Sequence, residues 1–97
     1  MAEHAQIIRL ARYRPDPGQR DNLIAQLQQQ VDAMRSLNGL FGAQVCRVQE
    51  DPELVVVISR WENEAALRGQ GQPQVASNLQ AAAQVAERAD TEHLIAL

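Results

Sequence analysis

The side chains able to do chemistry in this 97-residue chain are few: nine arginines, one tyrosine, one tryptophan, one cysteine and two histidines, with no lysine. Arg9, Arg12 and Arg14 crowd one segment around Tyr13, the single phenol. A guanidinium facing an enclosed cavity stabilises a substrate oxyanion, and Arg9 is the candidate for that role. The alternative for these arginines is pairing with Glu or Asp across a dimer. Tyr13 can donate a hydrogen bond to a quinone-like oxygen, or sit at a rim with its hydroxyl in water. Trp61 shares parity with Val57 and Ser59 at the end of an apolar run, so it either walls a pocket or closes one end of a core. Without lysine there is no Schiff-base chemistry and no P-loop lysine. His4 and His93 have no second ligand at metal spacing, and no metal is expected. Cys46 alone excludes an intrachain disulfide and a cysteine-rich zinc site; it reads as a small buried hydrophobe. The residues by themselves assign no catalytic group.

Elements must position these side chains, and the bulk properties bound what the elements can build. The chain is a single domain over residues 1–97, since a second core needs on the order of 100 further residues. Hydrophobic residues make up 45% and charged residues 22%, which favours a globular fold over disorder. A net charge of −3 and a pI near 5.2 argue against nucleic acid as a partner. Gly39-Leu40-Phe41-Gly42 resembles an RNA-recognition signature, but on the second strand rather than the third and without a second stacking aromatic. The longest apolar run, Leu54 to Ile58, is five residues, so no membrane span is expected. The first residues lack the basic and apolar regions of a signal peptide, and a cytoplasmic location is expected.

Gln6 to Arg14 reads as a strand that stops at Pro15. Asp16 is expected as a helix N-cap with Pro17 in the first helical position. Leu23, Leu27, Val31 and Met34, with Ile24 beside them, recur at helical spacing, and Gln26, Gln28, Gln29 and Gln30 lie mostly off that stripe as a solvated face. Ser36 to Gly39 stops the helix. Leu40 to Glu50 and Leu54 to Trp61 form an antiparallel hairpin about the turn Glu50-Asp51-Pro52-Glu53. Asn63 caps a short helix from Glu64 to about Arg68. A second helix begins near Pro73, with Val75, Leu79, Ala82 or Ala83, and Ala86 on its apolar face. Thr91 to Leu97 closes the chain as a short strand.

The resulting order, β-α-β-β-α-β, is the ferredoxin-like pattern of the α+β class: a four-stranded antiparallel sheet with helices on one face. Val55 and Val57 point to one side of the third strand, and Leu54, Val56 and Ile58 to the other. The uncovered apolar face predicts a homodimer that packs sheet against sheet.

The segment Val57-Ile58-Ser59-Arg60-Trp61-Glu62-Asn63-Glu64-Ala65-Ala66-Leu67 resembles the strand-end tryptophan and W-E-x-E-x-A-L helix start of antibiotic biosynthesis monooxygenase (ABM) domains. Pro17-Gly18, Leu37-Asn38-Gly39 and Glu50-Asp51-Pro52 fit the same pattern, so the resemblance covers nearly the whole chain. It implies a dimeric α+β barrel, a fold that hosts cofactor-free quinol and anthrone oxygenases, haem-degrading enzymes, isomerases and proteins without assigned activity. The oxygenases it resembles often carry Asn four residues before the tryptophan, where this chain has Val57. Many members place His between the two helices, where Gln70, Gln72 and Gln74 stand, and glutamine cannot relay a proton near neutral pH. The Asn of the haem-degrading relatives has Ala11 as its nearest counterpart. The resemblance therefore implies a cofactor-independent monooxygenase acting on a quinol, phenolic or polyketide-like molecule, with Trp61, Tyr13, Arg9, Val57 and Gln70 around the substrate. The alternative is a non-catalytic small-molecule-binding or stress-associated dimer. No cofactor is expected in either case.

Overall fold

The computed structural model describes residues 6–68 and 86–97, the first four of the second segment by backbone alone. The elements in order are β1 (Ile7–Pro15), α1 (Arg20–Met34), β2 (Leu40–Val48), β3 (Asp51–Trp61), α2 (Glu64–Arg68) and β4 (Ala86–Ile95). The four strands make one antiparallel sheet in the order β2-β3-β1-β4. This is the ferredoxin-like arrangement that the element order predicts, with β3 and β1 in the middle. The helix expected from Pro73 lies outside the described residues. Its expected last position, Ala86, is instead the first residue of β4, which is longer than the strand read from Thr91 onward. Glu87 to Asp90 carries no strand signal of its own. Pairing along the whole of β1 overrides local preference there.

The start of α1 also differs from expectation. Asp16 does not cap it: the Gln19 N–H donates to the Asp16 carbonyl at 2.9 Å, and Gly18 has φ +79°. Pro17 and Gly18 thus occupy the middle of a type II turn, where glycine supplies the left-handed conformation. The helix begins only at Arg20, with no side-chain cap. Its stripe is as expected, with Leu23, Leu27, Val31 and Met34 buried, but Gln30 is buried too, at 2% exposure. Seven residues after Leu23, Gln30 returns to nearly the same angular position on the helix.

Gly39 ends the connection to β2 with φ +82°, and a Cβ there would collide with the Ala66 side chain on α2. The Asn63 cap is formed, its Oδ1 accepting from the Ala66 N–H at 2.9 Å. In the hairpin, β3 starts at Asp51 and the turn contracts to residues 49–50. A register shift between Arg47 and Val48 accommodates Pro52, whose missing N–H rules out regular pairing.

Both described helices pack on the sheet face that bears Ala11, Tyr13, Val55, Val57, Ser59 and Trp61, and the described core divides there into two clusters. Leu23, Leu27 and Val31 cover Ala11, Tyr13, Val55 and Val57. Met34, Leu37 and Leu67 enclose Trp61.

Candidate functional site

Strand alternation decides which side chains meet. Arg9, Ala11 and Tyr13 share one parity of β1, and Val55, Val57, Ser59 and Trp61 share the matching parity of β3. Across the sheet they fall into rows on the helix-covered face. One row runs Ala43, Ser59, Arg9, His93; the next toward α2 includes Trp61, Ile7 and Ile95; the next away from it runs Val45, Val57, Ala11, Thr91. Four of the residues singled out from the sequence, Arg9, Tyr13, Val57 and Trp61, therefore share one face. Gln70, with Gln72 and Gln74, lies outside the described residues.

Trp61 is fully buried, and its indole N–H donates to the Ser59 hydroxyl at 3.0 Å. Its one polar atom is used within the protein, so it can offer a ligand only apolar surface. Tyr13 is buried at 4% exposure, not at a rim. Burial pushes its phenol above the ordinary pKa, and the positive charge of Arg9 pulls partly the other way. The phenol stays protonated near neutrality and remains a donor.

The arginines of β1 divide by parity. Arg12 and Arg14 point to the uncovered face, where Arg12 reaches Glu92 at 3.0 Å and Arg14 reaches Asp51 at 2.9 Å. The Arg14 hydrogen bond holds the Asp51 carboxyl below its ordinary pKa. Arg9 points to the covered face, half-buried, and no carboxylate among the described residues pairs with it. A half-buried cation that no carboxylate among the described residues pairs with, on the same face of β1 as a protonated phenol four residues on, is suited to an anionic or strongly polarised oxygen.

Val57 and Ala11 are direct cross-strand partners, exposed 2% and 1%. The middle of the covered face is thus apolar on both central strands. Two buried polar residues escaped the sequence reading as parts of a site, Ser59 and Gln30. The parity of Ser59 with Trp61 was the available signal for the first. For Gln30 the signal was its angular coincidence with Leu23, masked by the surrounding glutamines. His93, exposed and opposite Arg9, gains its place only from the β1–β4 pairing. Among the described residues no three His, Cys, Asp or Glu side chains come together as a metal would require. Among the described residues, two surface depressions lie along β2: one of about 380 Å3 at Gly42, Gln44, Ile58 and Arg60, and one of about 220 Å3 at Arg35, Leu40 and Phe41.

Comparison with known proteins fits this geometry. No curated protein matches the sequence. Solved structures match over nearly their whole length. Protein SO0527 from Shewanella oneidensis is 18% identical with a TM-score of 0.88, covering 96% of this chain and 92% of that one. Rv0793 from Mycobacterium tuberculosis is 20% identical with a TM-score of 0.86, covering 95% of each chain. A mutant of SnoaB, a cofactor-independent oxygenase from Streptomyces nogalater, is 14% identical with a TM-score of 0.85, covering 94% and 92%. At these identities the likeness speaks for the fold. The family model for antibiotic biosynthesis monooxygenase matches residues 6–70, two thirds of the sequence and every element from β1 to α2, and the chain belongs to that family.

Proposed function

We propose that this protein binds a planar phenolic or quinol-type molecule on the helix-covered face of the sheet and oxygenates it without a cofactor. The observation that carries the reading is Arg9, a half-buried guanidinium with no carboxylate partner among the described residues, whose charge acts on the buried phenol of Tyr13. In such chemistry the substrate supplies the electrons. A phenol that loses its proton becomes an electron-rich anion able to reduce dioxygen. One oxygen atom enters the ring carbon as a carbonyl and the other leaves as water, so phenol plus O2 gives quinone plus H2O. Arg9 would stabilise the anion, Tyr13 would donate to its oxygen, and Trp61 and Val57 would supply apolar walls that exclude water.

The oligomer belongs to the same proposal. The uncovered face carries Ile8, Leu10, Leu54, Val56 and Ile58, all half-buried in the single chain, and Leu94 at 39% exposure. A second copy packed face to face would bury this strip on both protomers, at about 25 cal/mol per Å2 of apolar surface. No helix among the described residues is long and apolar enough to cross a membrane, and a cytoplasmic site of action is part of the proposal.

A second reading, binding without turnover, draws on Ala11 and Val57. Where a polar pair could orient a reacting oxygen, both strands are apolar. One experiment separates the two. A thermal-shift screen over phenols and hydroquinones, followed by oxygen-uptake assays on the hits, supports oxygenation if one O2 is consumed per product formed with no added cofactor. Stabilising ligands without uptake above background give the binder, and a screen with no stabilising ligand removes both.

A further inference from the structure

The phenol oxidation proposed above begins with the loss of a proton, and none of the groups assigned to it can take that proton. An arginine side chain keeps its own proton, and the Tyr13 phenol, held above its ordinary pKa, stays protonated as well. The strand register supplies a group that can. His93 on β4 is the direct cross-strand partner of Arg9, as Ser59 on β3 is on the other side. Opposed side chains of an antiparallel pair share one face, with their Cβ atoms about 4.5–5.5 Å apart. The imidazole is exposed and Arg9 beside it is half-buried, so the pair leads from the covered face out to solvent. Among the described residues no other base competes. In the row of Arg9 and the two rows beside it, the remaining covered-face side chains of the sheet are apolar except for the hydroxyls of Ser59 and Thr91. Arg47 and Glu53 share the parity of that face but lie two and three rows away, toward the hairpin. The carboxylates of β4 nearest His93, Asp90 and Glu92, have the opposite parity, and Glu92 pairs with Arg12 on the uncovered face. The buried side chains of α1 and α2 are apolar apart from the Gln30 amide. Hydroxyls, amides and guanidinium groups are not bases near neutrality, whereas imidazole is.

We infer that His93 is the general base of the oxygenation, its imidazole taking the proton of the phenol whose oxygen Arg9 holds. The O–H bond breaks with its electron pair left on the substrate oxygen, where Arg9 stabilises the charge. The ring then gives four electrons to O2. One oxygen atom bonds the ring carbon as a carbonyl and the other leaves as water. That water takes one proton from the imidazolium and one from the ring C–H that the carbonyl replaces, so His93 ends each cycle neutral. No co-reactant beyond dioxygen is needed. The two neighbours on one row thus divide the task, the arginine holding the anion that the histidine generates.

His93 takes this role only if the oxygenation reading holds, and one experiment keeps the two failures apart. Oxidation of 1-naphthol to 1,4-naphthoquinone is followed by oxygen uptake for wild type and His93→Gln, without added cofactor, from neutral pH up to the pKa of the probe. His93 is exposed, so the variant should melt at the temperature of wild type. At neutral pH its kcat should fall about a hundredfold with little change in KM, since Arg9 still holds the oxygen. The deficit should shrink as the pH rises and naphtholate forms in solution, and added imidazole should restore part of the rate. A variant as fast as wild type at neutral pH overturns the role of His93 and leaves oxygenation intact. A deficit that is equal at every pH and that imidazole does not relieve overturns it as well, because a structural role behaves so. No oxidation of the probe by wild type overturns this inference together with the reading beneath it.

Discussion

The two faces of the sheet use the same residue types to opposite ends. On the uncovered face, Arg12 and Arg14 are held by Glu92 and Asp51, and the apolar side chains between them stay half-exposed. On the covered face, three residues from Arg12 along the same strand, Arg9 has no carboxylate among the described residues and sits near a buried phenol. Composition cannot distinguish these arginines. Strand parity does, because a side-chain period of two sends Arg9 with Tyr13 and sends Arg12 with Arg14. Exposed ion pairs contribute little to stability, whereas a half-buried cation that no carboxylate among the described residues neutralises can still take an anionic partner.

The contrast can be broken most severely from the covered side. Trp61→Ala removes the largest fully buried side chain of the described residues and should cost roughly 3–5 kcal/mol in urea denaturation, enough to unfold much of a domain this small. A substitution that left the midpoint unchanged would place Trp61 outside the core. Next in size, Val56→Asp or Ile58→Asp, both on the uncovered face, should break a face-to-face dimer. Light scattering at micromolar concentration should give twice 10.8 kDa for wild type and 10.8 kDa for the variants. A wild-type protein that is already monomeric contradicts the proposed assembly.

A smaller effect sharpens the covered face through pH. The Tyr13 phenol titrates above its ordinary value of 10.0 in the folded protein, so its contribution to stability is fully present below that pH. It is lost as the pH rises through the folded-state value, because the unfolded chain then releases the proton more readily. Since Tyr13 is the single tyrosine, phenolate absorbance follows it directly. Arg9→Leu should shift that titration to still higher pH, having removed the charge that favours phenolate. An unchanged titration would mean that Arg9 does not act on Tyr13. The smallest effect belongs to the uncovered face. Asp51→Asn, at an exposed pair, should leave the urea midpoint at neutral pH within measurement error.

Most of the fold was legible because the signals were periodic. The α1 stripe, the β-branched run of β3 and the Asn63 cap each carry local physics that the structure realises. The misplaced boundaries share a cause, in that each depends on pairing or turn geometry that no single window contains. Asp16 looks like a cap until Gly18 turns left-handed, Pro52 looks like a break until a register shift absorbs it, and Glu87 to Asp90 has no strand signal apart from its partner β1. The site was legible in part for the same reason. Parity placed Trp61, Ser59 and Val57 together, but the juxtaposition of Arg9 with Ser59 and His93 is set by register between distant segments. Gln30 was hidden among glutamines of which the helix turns only that one fully into the core.

The central claim is that Arg9 holds a ligand oxygen on the covered face while its neighbours on the same strand do not. It is tested by titration calorimetry of 2-naphthol at neutral pH into wild type, Arg9→Leu and Arg12→Leu. Binding should weaken at least about tenfold in Arg9→Leu, the loss expected for a charge-assisted hydrogen bond, and stay unchanged in Arg12→Leu. Equal affinity in wild type and Arg9→Leu, or a loss confined to Arg12→Leu, would contradict it.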